Sequence, residues 1–394
     1  WSKRNWASPV VCIAKKNGNV RIACDYRSLN AQTVIPTFPL PYIDTILSSL
    51  WGSKYYTIAD LSQGYFGVAI EEESILITAF VTSFGLFEWP RCPQGASGAP
   101  WAFLTLMQIV LRGLKQVKAF LDDRTSHSGT AEDHVAGLQA LFDRLREHHL
   151  KLSPSKVHIA MLEVKFLGHQ VSAEGVRPDS GKVEALCAMP YPTDAVALKS
   201  YLGLGSYYRR FIPNMAALSR CPTLLQKKGV AFELTEHHKQ IIQTINKTLS
   251  SEPVLKFPDF DATVSQKHRF SLSTDASILG LGGVLEQADD DEIVRPMCFI
   301  SRTTLDAETR YTLTELEMCA VVYCVKSLGH MLRGIPFDLY VDHKALLSIH
   351  SCSDKSPRMA PWADLLAAFS FKVRYRPGPK HQHADASSRN PLPI

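Results

Sequence analysis

The sequence lacks the features that mark secreted, zinc-binding and membrane-spanning proteins. Its nine cysteines are an odd number and include no CxxC pair, so they predict neither a disulfide framework nor a zinc ribbon. No apolar run approaches the roughly 20 residues that a membrane helix needs. The first six residues, Trp-Ser-Lys-Arg-Asn-Trp, contain neither an initiator Met nor the apolar segment of a signal peptide. These absences favour a reducing compartment and a chain cut from a longer polyprotein.

The composition that remains is that of an ordinary globular protein. Of the 394 residues, 45% are hydrophobic and 21% are charged, and this length exceeds what one core usually organises. We therefore expect at least two domains. The 43 basic and 38 acidic residues give a formal net charge of +5, which permits binding to a polyanion without requiring it.

Hydrophobic periodicity changes along the chain. Short β-type runs fill the first 125 residues, a helical pattern lies between Asp133 and Leu152, and a strand is predicted at about Val164–Leu167. From Asp179 to about Ser251 the pattern is helical and basic, which indicates a small helical module. Breaks in it are predicted at its four prolines, Pro190, Pro192, Pro213 and Pro222.

A new pattern begins at Phe270. Its order is strand, Gly-rich turn, strand, long helix, strand, helix, strand, helix, and the long helix is predicted from about Thr314 to Met331. This order and length predict an α/β domain.

Two β-type runs in the first part of the chain each end in acid. One delivers Asp60, and the other delivers Asp122 and Asp123. If the two strands are neighbours, Asp60 and Asp122 can share a pair of Mg²⁺ ions about 4 Å apart, as phosphoryl transfer requires. Strand side chains alternate faces, so Asp123 can join them only if a turn intervenes, and Asp123 ranks below Asp122. An Asp-Asp pair taken alone is equally well explained as a turn or a helix cap.

A second set of acids lies in the last part of the chain. Asp275 and Asp342 end two predicted strands, Glu317 lies on the long helix, and Asp385 lies near the C-terminus. Three Asp and one Glu in such places suit a nuclease that uses two metal ions to activate water and stabilise the leaving oxygen. Glu315, on the same helix, is the alternative to Glu317.

The sequence around both sets resembles the reverse transcriptase and ribonuclease H region of the Pol polyproteins of Gypsy-class LTR retrotransposons. The resemblance covers the chain from end to end, with the blocks in the family's order. The blocks are WASPV at 6–10, DYRSLN at 25–30, PLP at 39–41, ADLSQGY at 59–65, TAF at 78–80, FLDD at 120–123, FLGH at 166–169, YLGLGSYYRRFI at 201–212, STDAS at 273–277, TELE at 314–317, VDHK at 341–344 and ADA at 384–386.

The resemblance implies an α+β right-hand polymerase with fingers, palm and thumb, followed by a ribonuclease H-like α/β domain. It places the fingers and palm at residues 1–169. The thumb and connecting segment would occupy 170–262, and the ribonuclease H-like domain 263–394. The implied function is RNA-directed DNA synthesis combined with degradation of the RNA strand of an RNA/DNA hybrid.

The resemblance also implies the catalytic acids, each of which would bind metal. They are Asp60, Asp122 and Asp123 in the polymerase, and Asp275, Glu317, Asp342 and Asp385 in the ribonuclease. Each site would use two Mg²⁺ ions, with Mn²⁺ as a substitute. The implied partners are an RNA template, a DNA primer, an RNA/DNA hybrid and deoxynucleoside triphosphates. Protease and integrase segments are expected in the parent polyprotein, and the family habit implies cytoplasmic particles and the nucleus as the location.

Four further positions are implied to contact the incoming nucleotide. Lys15 and Arg21 resemble the fingers residues that clamp the triphosphate, since Lys supplies a point charge and Arg a fork of donors. Without the family, these two would be read as part of a solvated basic hairpin. Tyr65 resembles the aromatic side chain that rejects a ribose 2′-hydroxyl, and Gln94 resembles the residue that contacts the nucleotide. Gln94 stands where most members of the family have Phe.

One segment departs from the family pattern. After the Asp-Asp pair the family continues with a strongly apolar strand, whereas residues 124–128 read Arg-Thr-Ser-His-Ser. Such residues would destabilise the fold by roughly a few kcal/mol if they are buried. Two hypotheses follow: an active bifunctional enzyme, favoured by the seven intact acids, or an impaired relic that at most binds primer-template, favoured by the polar segment.

Overall fold

The computed structural model describes residues 7–14, 18, 20–36, 42–62, 64–120, 123–347 and 358–377. The chain separates into two compact units. The first comprises Trp1–Ile46 and Gly52–Leu167, and the second comprises Leu47–Trp51 and Gly168–Ile394. Within the described residues, no helix combines the length and the apolar character that crossing a membrane requires.

Short strands dominate the chain before Gly168, as the sequence predicts. The strands are β1 (Ser8–Ala14), β2 (Val20–Cys24), β3 (Tyr55–Ile58), β4 (Phe80–Thr82), β5 (Gly85–Phe87), β6 (Val117–Phe120), β7 (Asp123–Ser128), β8 (His158–Met161) and β9 (Glu163–Phe166). The α-helices are α1 (Arg27–Asn30), α2 (Ile43–Ser48), α3 (Glu72–Ile75), α4 (Ala99–Val110) and α5 (Ala131–Glu147).

Two four-stranded sheets organise this unit. The first has the order β2-β1-β4-β5, and the second, which is antiparallel throughout, has the order β6-β7-β3-β8. Helix α5 begins where the Thr130 side chain caps the backbone N–H of Asp133. It ends before His149, whose positive φ of 55° does not continue a helix, so it is shorter than the sequence pattern predicts. Leucines of α5 and apolar residues of α4 share one core.

The polar segment after Asp123 forms a strand that is buried along almost its whole length. Every residue of β7 after the first is buried. Nδ1 of His127 and the Ser53 hydroxyl form a hydrogen bond of 2.8 Å. Ser128 and Thr57 hold the ring of His134 from its two nitrogens, at 2.9 and 2.7 Å. These bonds offset part of the free energy lost on burying the polar groups.

Arg124 is the largest nearly fully buried side chain of β7, with 2% of its surface exposed. Its guanidinium carbon lies 5.2 Å from the centroid of the Phe103 ring on α4. A cation over an aromatic face is stabilised by the ring quadrupole, more strongly when water is excluded. The side chain that departs most from the family pattern therefore has an aromatic neighbour that suits its charge.

The chain after Leu167 begins with a hairpin and a group of helices. The elements are β10 (His169–Ser172), β11 (Gly175–Pro178), α6 (Ser180–Cys187), α7 (Ala195–Tyr207), α8 (Met215–Leu224), α9 (Glu236–Ser250) and α10 (Phe260–Val264). Pro190, Pro192 and Pro213 lie between helices, as predicted. The break predicted at Pro222 is wrong, because this proline lies inside α8. It removes one backbone hydrogen bond of that helix, and the helix ends two residues later.

A five-stranded sheet follows, with helices packed against it. Its elements are β12 (Phe270–Ala276), β13 (Gly280–Ala288), β14 (Val294–Thr303), α11 (Leu313–Ser327), α12 (Gly329–Leu332), β15 (Phe337–Val341), α13 (Ala360–Leu366) and β16 (Phe371–Tyr375). The strand order is β14-β13-β12-β15-β16. Strands β12, β13 and β14 pair antiparallel, whereas β15 is parallel to both β12 and β16. Helix α11 contributes Met318, Val321 and Val325 to the core under the sheet.

Strand β14 is absent from the predicted order of elements. It contains Pro296, which lacks the N–H that a central strand must donate, and this proline masks the strand pattern. The structure accommodates Pro296 because β14 is an edge strand of the described sheet and its pairing with β13 shifts register between Leu285 and Glu286. A bulge on an edge strand is a common place for such a residue.

The buried histidine of β7 predicts an acid-sensitive fold. Burial, with smaller contributions from Lys118 and His134, lowers the pKa of His127 from its ordinary 6.5 to about 4. The unfolded chain therefore takes up this proton at a higher pH than the folded chain. Stability should fall by about 3 kcal/mol as the pH goes from about 6.5 to about 4, and this effect should be absent above pH 7.

Urea unfolding at pH 7.5 and pH 4.5 measures this difference for the unmodified chain and for His127→Phe, which cannot titrate. His127→Phe should lose less stability between the two pH values. His158→Phe, at an exposed position, is the matched control and should behave as the unmodified chain does. An equal loss in all three proteins would contradict the prediction.

Candidate active sites

The first group of acids lies at one end of the β3–β7 pair. Tyr55 of β3 pairs with Ser128 and Ile58 with Thr125, and the next backbone N–H, that of Ala59, donates to the Arg124 carbonyl at 3.2 Å. Continued by one more residue, this register sets Asp60 opposite Asp123. The antiparallel pairing of two strands thus brings acids 63 positions apart in sequence to the same end of one sheet.

Strands β6 and β7 form a hairpin in which Phe120 pairs with Asp123. On one continuous strand, the side chains of Asp122 and Asp123 would lie on opposite faces. Instead, β6 ends at Phe120 and Asp123 is the first residue of the returning strand. Asp122 lies outside the described residues.

The Asp60 carboxylate carries an ion pair that the sequence analysis missed. Lys156 donates from Nζ to Oδ2 of Asp60 at 2.7 Å, and the side chains are 65% and 30% exposed. The Asp60 carbonyl accepts a hydrogen bond from the Ser153 N–H at 2.9 Å. A cation therefore neutralises part of the charge of this acid, and the segment around Ser153 fixes its backbone.

The predicted nucleotide contacts are described in part. Tyr65 is half-buried, with its ring centroid 5.3 Å from that of Phe103. Arg21 lies in β2 with its backbone opposite Ile13, and Lys15 lies outside the described residues. Tyr65 and Arg21 belong to separate elements of the first unit.

Gln94 is half-buried in a loop that its neighbours hold closely. The Asn30 side chain donates to the Gly95 carbonyl at 2.9 Å and accepts from the Ser97 N–H at 2.8 Å. Gly95 has a φ of +106°, and a Cβ there would come within 2.7 Å of the Cys24 carbonyl oxygen. Glycine is therefore required beside Gln94 for both conformational and steric reasons.

The second group of acids converges from three elements. Asp275 lies on β12, Glu317 lies on α11, and Asp342 directly follows β15. Each offers a carboxylate oxygen, and the three oxygens lie within 4.8 Å of one another. Asp275 and Glu317 are buried and Asp342 is half-buried. Parallel pairing of β12 with β15 brings the two aspartates to one end of the sheet. Asp385 lies outside the described residues.

Glu315, the alternative to Glu317, has a different place in the structure. It accepts a hydrogen bond from the Thr312 N–H at 3.0 Å and completes a capping box at the N-terminus of α11. Its other oxygen lies 3.1 Å from the Arg358 guanidinium. These hydrogen bonds and the ion pair lower the pKa of Glu315. The structure thus brings Glu317 to the other acids and uses Glu315 to begin the helix.

The chemistry of this group of acids fits a divalent cation. Two like charges about 4 Å apart repel by roughly 4 kcal/mol at the effective dielectric of a protein surface, and burial of Asp275 and Glu317 removes the water that would screen them. Oxygen donors are the ligands that Mg²⁺ and Mn²⁺ prefer. Asp275, Glu317 and Asp342 would therefore hold such an ion.

Two known protein families match the parts of the chain that carry these two groups of acids. Residues 13–171 match the family described as reverse transcriptase (RNA-dependent DNA polymerase). Residues 265–369 match the RNase H-like domain found in reverse transcriptase. The first match spans Asp60 and Asp123, and the second spans Asp275, Glu317 and Asp342.

Curated relatives match almost the whole chain. It is 34% identical over 392 residues to the retrovirus-related Pol polyprotein from transposon 297 of Drosophila melanogaster, covering 99% of this chain and 36% of the relative. It is 33% identical over 396 residues to the Pol polyprotein from transposon 412 of the same organism, covering 98% and 31%. It is 30% identical over 394 residues to the transposon Tf2-3 polyprotein of Schizosaccharomyces pombe, covering 98% and 29%. The chain thus spans about a third of the length of these relatives.

Solved structures show the same fold at lower identity. The foamy viral protease-reverse transcriptase in complex with dsDNA matches with a TM-score of 0.81 and 21% identity, covering 94% of this chain and 78% of that chain. The same viral protein in complex with an RNA/DNA hybrid matches with a TM-score of 0.77 and 21% identity, covering 98% and 52%. The expected fold class, a polymerase followed by a ribonuclease H-like domain, is confirmed.

Repulsion among the three acids predicts that neutralising one of them stabilises the metal-free protein. Asp275→Asn should raise the free energy of unfolding in EDTA by on the order of 1 kcal/mol. Mg²⁺ should raise the melting temperature of the unmodified chain and should have a smaller effect on Asp275→Asn. Differential scanning fluorimetry with and without Mg²⁺ measures both effects.

Asp364→Asn, at an exposed position on α13, is the matched control and should leave both melting temperatures unchanged. A lower stability of Asp275→Asn in EDTA would mean that other contacts of this carboxylate outweigh the repulsion.

Proposed function

Since this chain belongs to the Gypsy-like LTR retrotransposon Pol polyproteins, we propose that it is an RNA-directed DNA polymerase joined to a ribonuclease H, with two metal ions in each active site. The observation that carries the proposal is the convergence of Asp275, Glu317 and Asp342 within 4.8 Å, inside the part that matches the RNase H-like family. The domains would be fingers and palm at 1–169, thumb and connecting segment at 170–262, and ribonuclease H at 263–394.

In the polymerase, Asp60, Asp122 and Asp123 would be the catalytic acids. Two Mg²⁺ ions, when bound, would stabilise the attacking primer 3′-oxygen and the leaving pyrophosphate. The β3–β7 register that faces Asp60 with Asp123 supports this assignment. Lys156 forms an ion pair with Asp60. This ion pair would have to weaken when the Asp60 carboxylate binds a metal ion.

The nucleotide would be held by side chains of the fingers and palm. Lys15 and Arg21 would bind the triphosphate, Tyr65 would exclude a ribose 2′-hydroxyl, and Gln94 would contact the nucleotide. The packing of Tyr65 on Phe103 and the constrained loop of Gln94 support roles that need fixed side chains.

In the ribonuclease, the acids would be Asp275, Glu317, Asp342 and Asp385. The carboxylates would hold the metal ions that supply a hydroxide nucleophile and stabilise the leaving oxygen of the cut RNA strand. Their positions on a strand, a helix and a strand end keep the donors fixed with little side-chain freedom, which favours the reaction geometry.

The partners would be an RNA template, a DNA primer, deoxynucleoside triphosphates and the RNA/DNA hybrid that copying produces. Protease and integrase segments would lie elsewhere in the parent polyprotein, and the enzyme would work in cytoplasmic particles and the nucleus. The foamy viral enzyme of the same fold has been captured with dsDNA and with an RNA/DNA hybrid, which supports the duplex partners.

A second candidate function is binding of primer-template without DNA synthesis. The specific observation that favours it is the burial of polar β7, with Arg124 directly beside Asp123. Burying polar and charged groups in β7 weakens the hairpin that carries Asp123, so the polymerase site would be impaired first. On this alternative the ribonuclease stays active, because the elements that carry the second group of acids do not include β7.

Two activities measured on the same chain separate the assignments. Primer extension on an RNA template and release of labelled RNA from an RNA/DNA hybrid would both be run with Mg²⁺. Asp60→Asn should lower extension by about 100-fold or more and leave RNA release unchanged, and Asp275→Asn should do the reverse. Asp143→Asn and Asp364→Asn, both at exposed positions, are controls that should retain both activities.

Loss of extension with RNA release intact in the unmodified chain would favour the second candidate, provided that primer-template still binds. A folded unmodified chain that does neither would overturn the proposed function.

A further inference from the structure

Strand β16, at the edge of the sheet that the described residues form, carries basic residues on one face. Phe371 and Val373 pack against the core of the second unit, so the residues that alternate with them along the strand point to the opposite face. Those residues are Lys372 and Arg374, and the next position of the same parity is Arg376. We call Lys372, Arg374 and Arg376 the basic strip. A strand that needed only a solvated face would carry either sign of charge, but β16 and the residue that follows it carry three cations and no acid.

Strand register sets the strip on the face of the sheet that bears the acids. Asp338 of β15 pairs with Lys372, and Tyr340 pairs with Arg374. The Arg376 N–H donates to the Val341 carbonyl at 3.0 Å, which continues this register to Asp342. Since side chains two apart on a strand share a face, the strip runs beside β15 toward Asp342.

The neighbouring strand β12 confirms which face this is. Ser273 pairs with Tyr340 in the parallel ladder, and Asp275 lies two residues beyond Ser273 on the same face. Arg376 contacts both Tyr340 and Ser273. Its guanidinium carbon lies 3.9 Å from the centroid of the Tyr340 ring, and Nη1 lies 3.5 Å from the Ser273 hydroxyl. These contacts hold Arg376 on the face of the two aspartates, opposite Asp342 in the strand register.

The other end of the strip has a surplus of positive charge. Arg374 donates from Nε to Asp338 at 2.9 Å, and Arg269 contacts the other oxygen of the same carboxylate at 3.4 Å. One acid thus faces two arginines, with the exposed Lys372 beside them. Asp338 orients the arginines without neutralising the patch.

We propose that the basic strip binds the sugar–phosphate backbone of an RNA/DNA hybrid and leads it to the acids, with Arg376 as the positioning residue nearest the cut. This inference rests on the proposed function. Successive strip residues are spaced by about 7 Å along the strand, which allows each to meet a different phosphate. Arginine and lysine bind phosphate by charge and by hydrogen bonds, and such contacts weaken with salt.

Charged residues on an edge strand also prevent pairing with other chains. That role is independent of sign and of nearby acids. It does not explain the stacking of Arg376 on Tyr340 or the contact with Ser273, whereas delivery of a polyanion to the acids does.

Steady-state cleavage of an RNA/DNA hybrid by the full chain tests the proposal. The combined variant Lys372→Ala, Arg374→Ala, Arg376→Ala should raise KM for the hybrid by about 10-fold or more and change kcat by less than about 3-fold. The slope of log(kcat/KM) against log salt should become shallower by about 2 to 3, because roughly 0.9 is lost for each phosphate contact. Primer extension should be unchanged.

A matched control removes the same number of charges elsewhere. Arg295→Ala on β14, Lys326→Ala on α11 and Arg333→Ala after α12, combined, should leave KM and the salt slope as they are. If the combined strip variant is unstable, two single variants replace it. Lys372→Glu, at an exposed position, should raise KM, and Arg376→Lys should keep the salt slope because it keeps the charge.

Photocrosslinking of a hybrid that carries 4-thiouridine in its RNA strand gives a second readout, which needs no cleavage. Mass spectrometry should find the crosslink on the peptide that contains residues 371–376.

A hybrid that is cut by the unmodified chain and by the strip variant with the same KM and salt slope would overturn the inference. Failure of the unmodified chain to cut the hybrid would instead overturn the proposed ribonuclease, and absence of the crosslink would then overturn the strip as well.

Discussion

Mutual repulsion of three carboxylates is the constraint on which the second unit depends. Asp275, Glu317 and Asp342 would separate if their backbones were free, because two of them are buried where charge is most unfavourable. Each is fixed by a different element. Asp275 lies on a central strand, Glu317 on a capped helix that packs on the core, and Asp342 at the end of a second strand. Apolar packing between α11 and the sheet thus supplies the free energy that holds like charges together. A cation at this point would relieve the repulsion, which couples metal binding to stability.

In the first unit, strand β7 buries polar groups where the family has apolar ones. The solution is local, since the partners of His127 and His134 come from β3, its flanking turn and β7 itself. Strand β3 also leads to Asp60, so the hydrogen bonds that make the polar strand tolerable also fix the strand that carries an acid. The sequence alone predicted a loss of stability if these residues were buried. They are buried, and their hydrogen bonds offset part of that loss, which leaves a fold that is sensitive to acid.

Sequence periodicity could predict the strand ends that bear Asp275 and Asp342 and the helix that bears Glu317, because alternation and the 3.6-residue period are local signals. It could not predict the ion pair of Lys156 with Asp60, because a side-chain contact across 96 positions leaves no local pattern. Strand β14 was missed for a different reason: Pro296 is compatible with a strand only at an edge, and edge position is a property of the finished sheet. The resemblance to a family named the acids, while geometry was needed to separate the roles of Glu317 and Glu315.

Strand geometry explains how a chain with a net charge of only +5 can offer a polyanion a surface of uniformly positive charge. What matters is not the total but the face on which each charge lies, and in a strand the face is set by parity. Burying Phe371 and Val373 forces Lys372 and Arg374 to the opposite face together. A slip of one residue in the pairing with β15 would expose two apolar side chains and bury two cations. The hydrophobic core therefore protects the placement of the strip, so that its position beside the acids is maintained by the folding free energy itself.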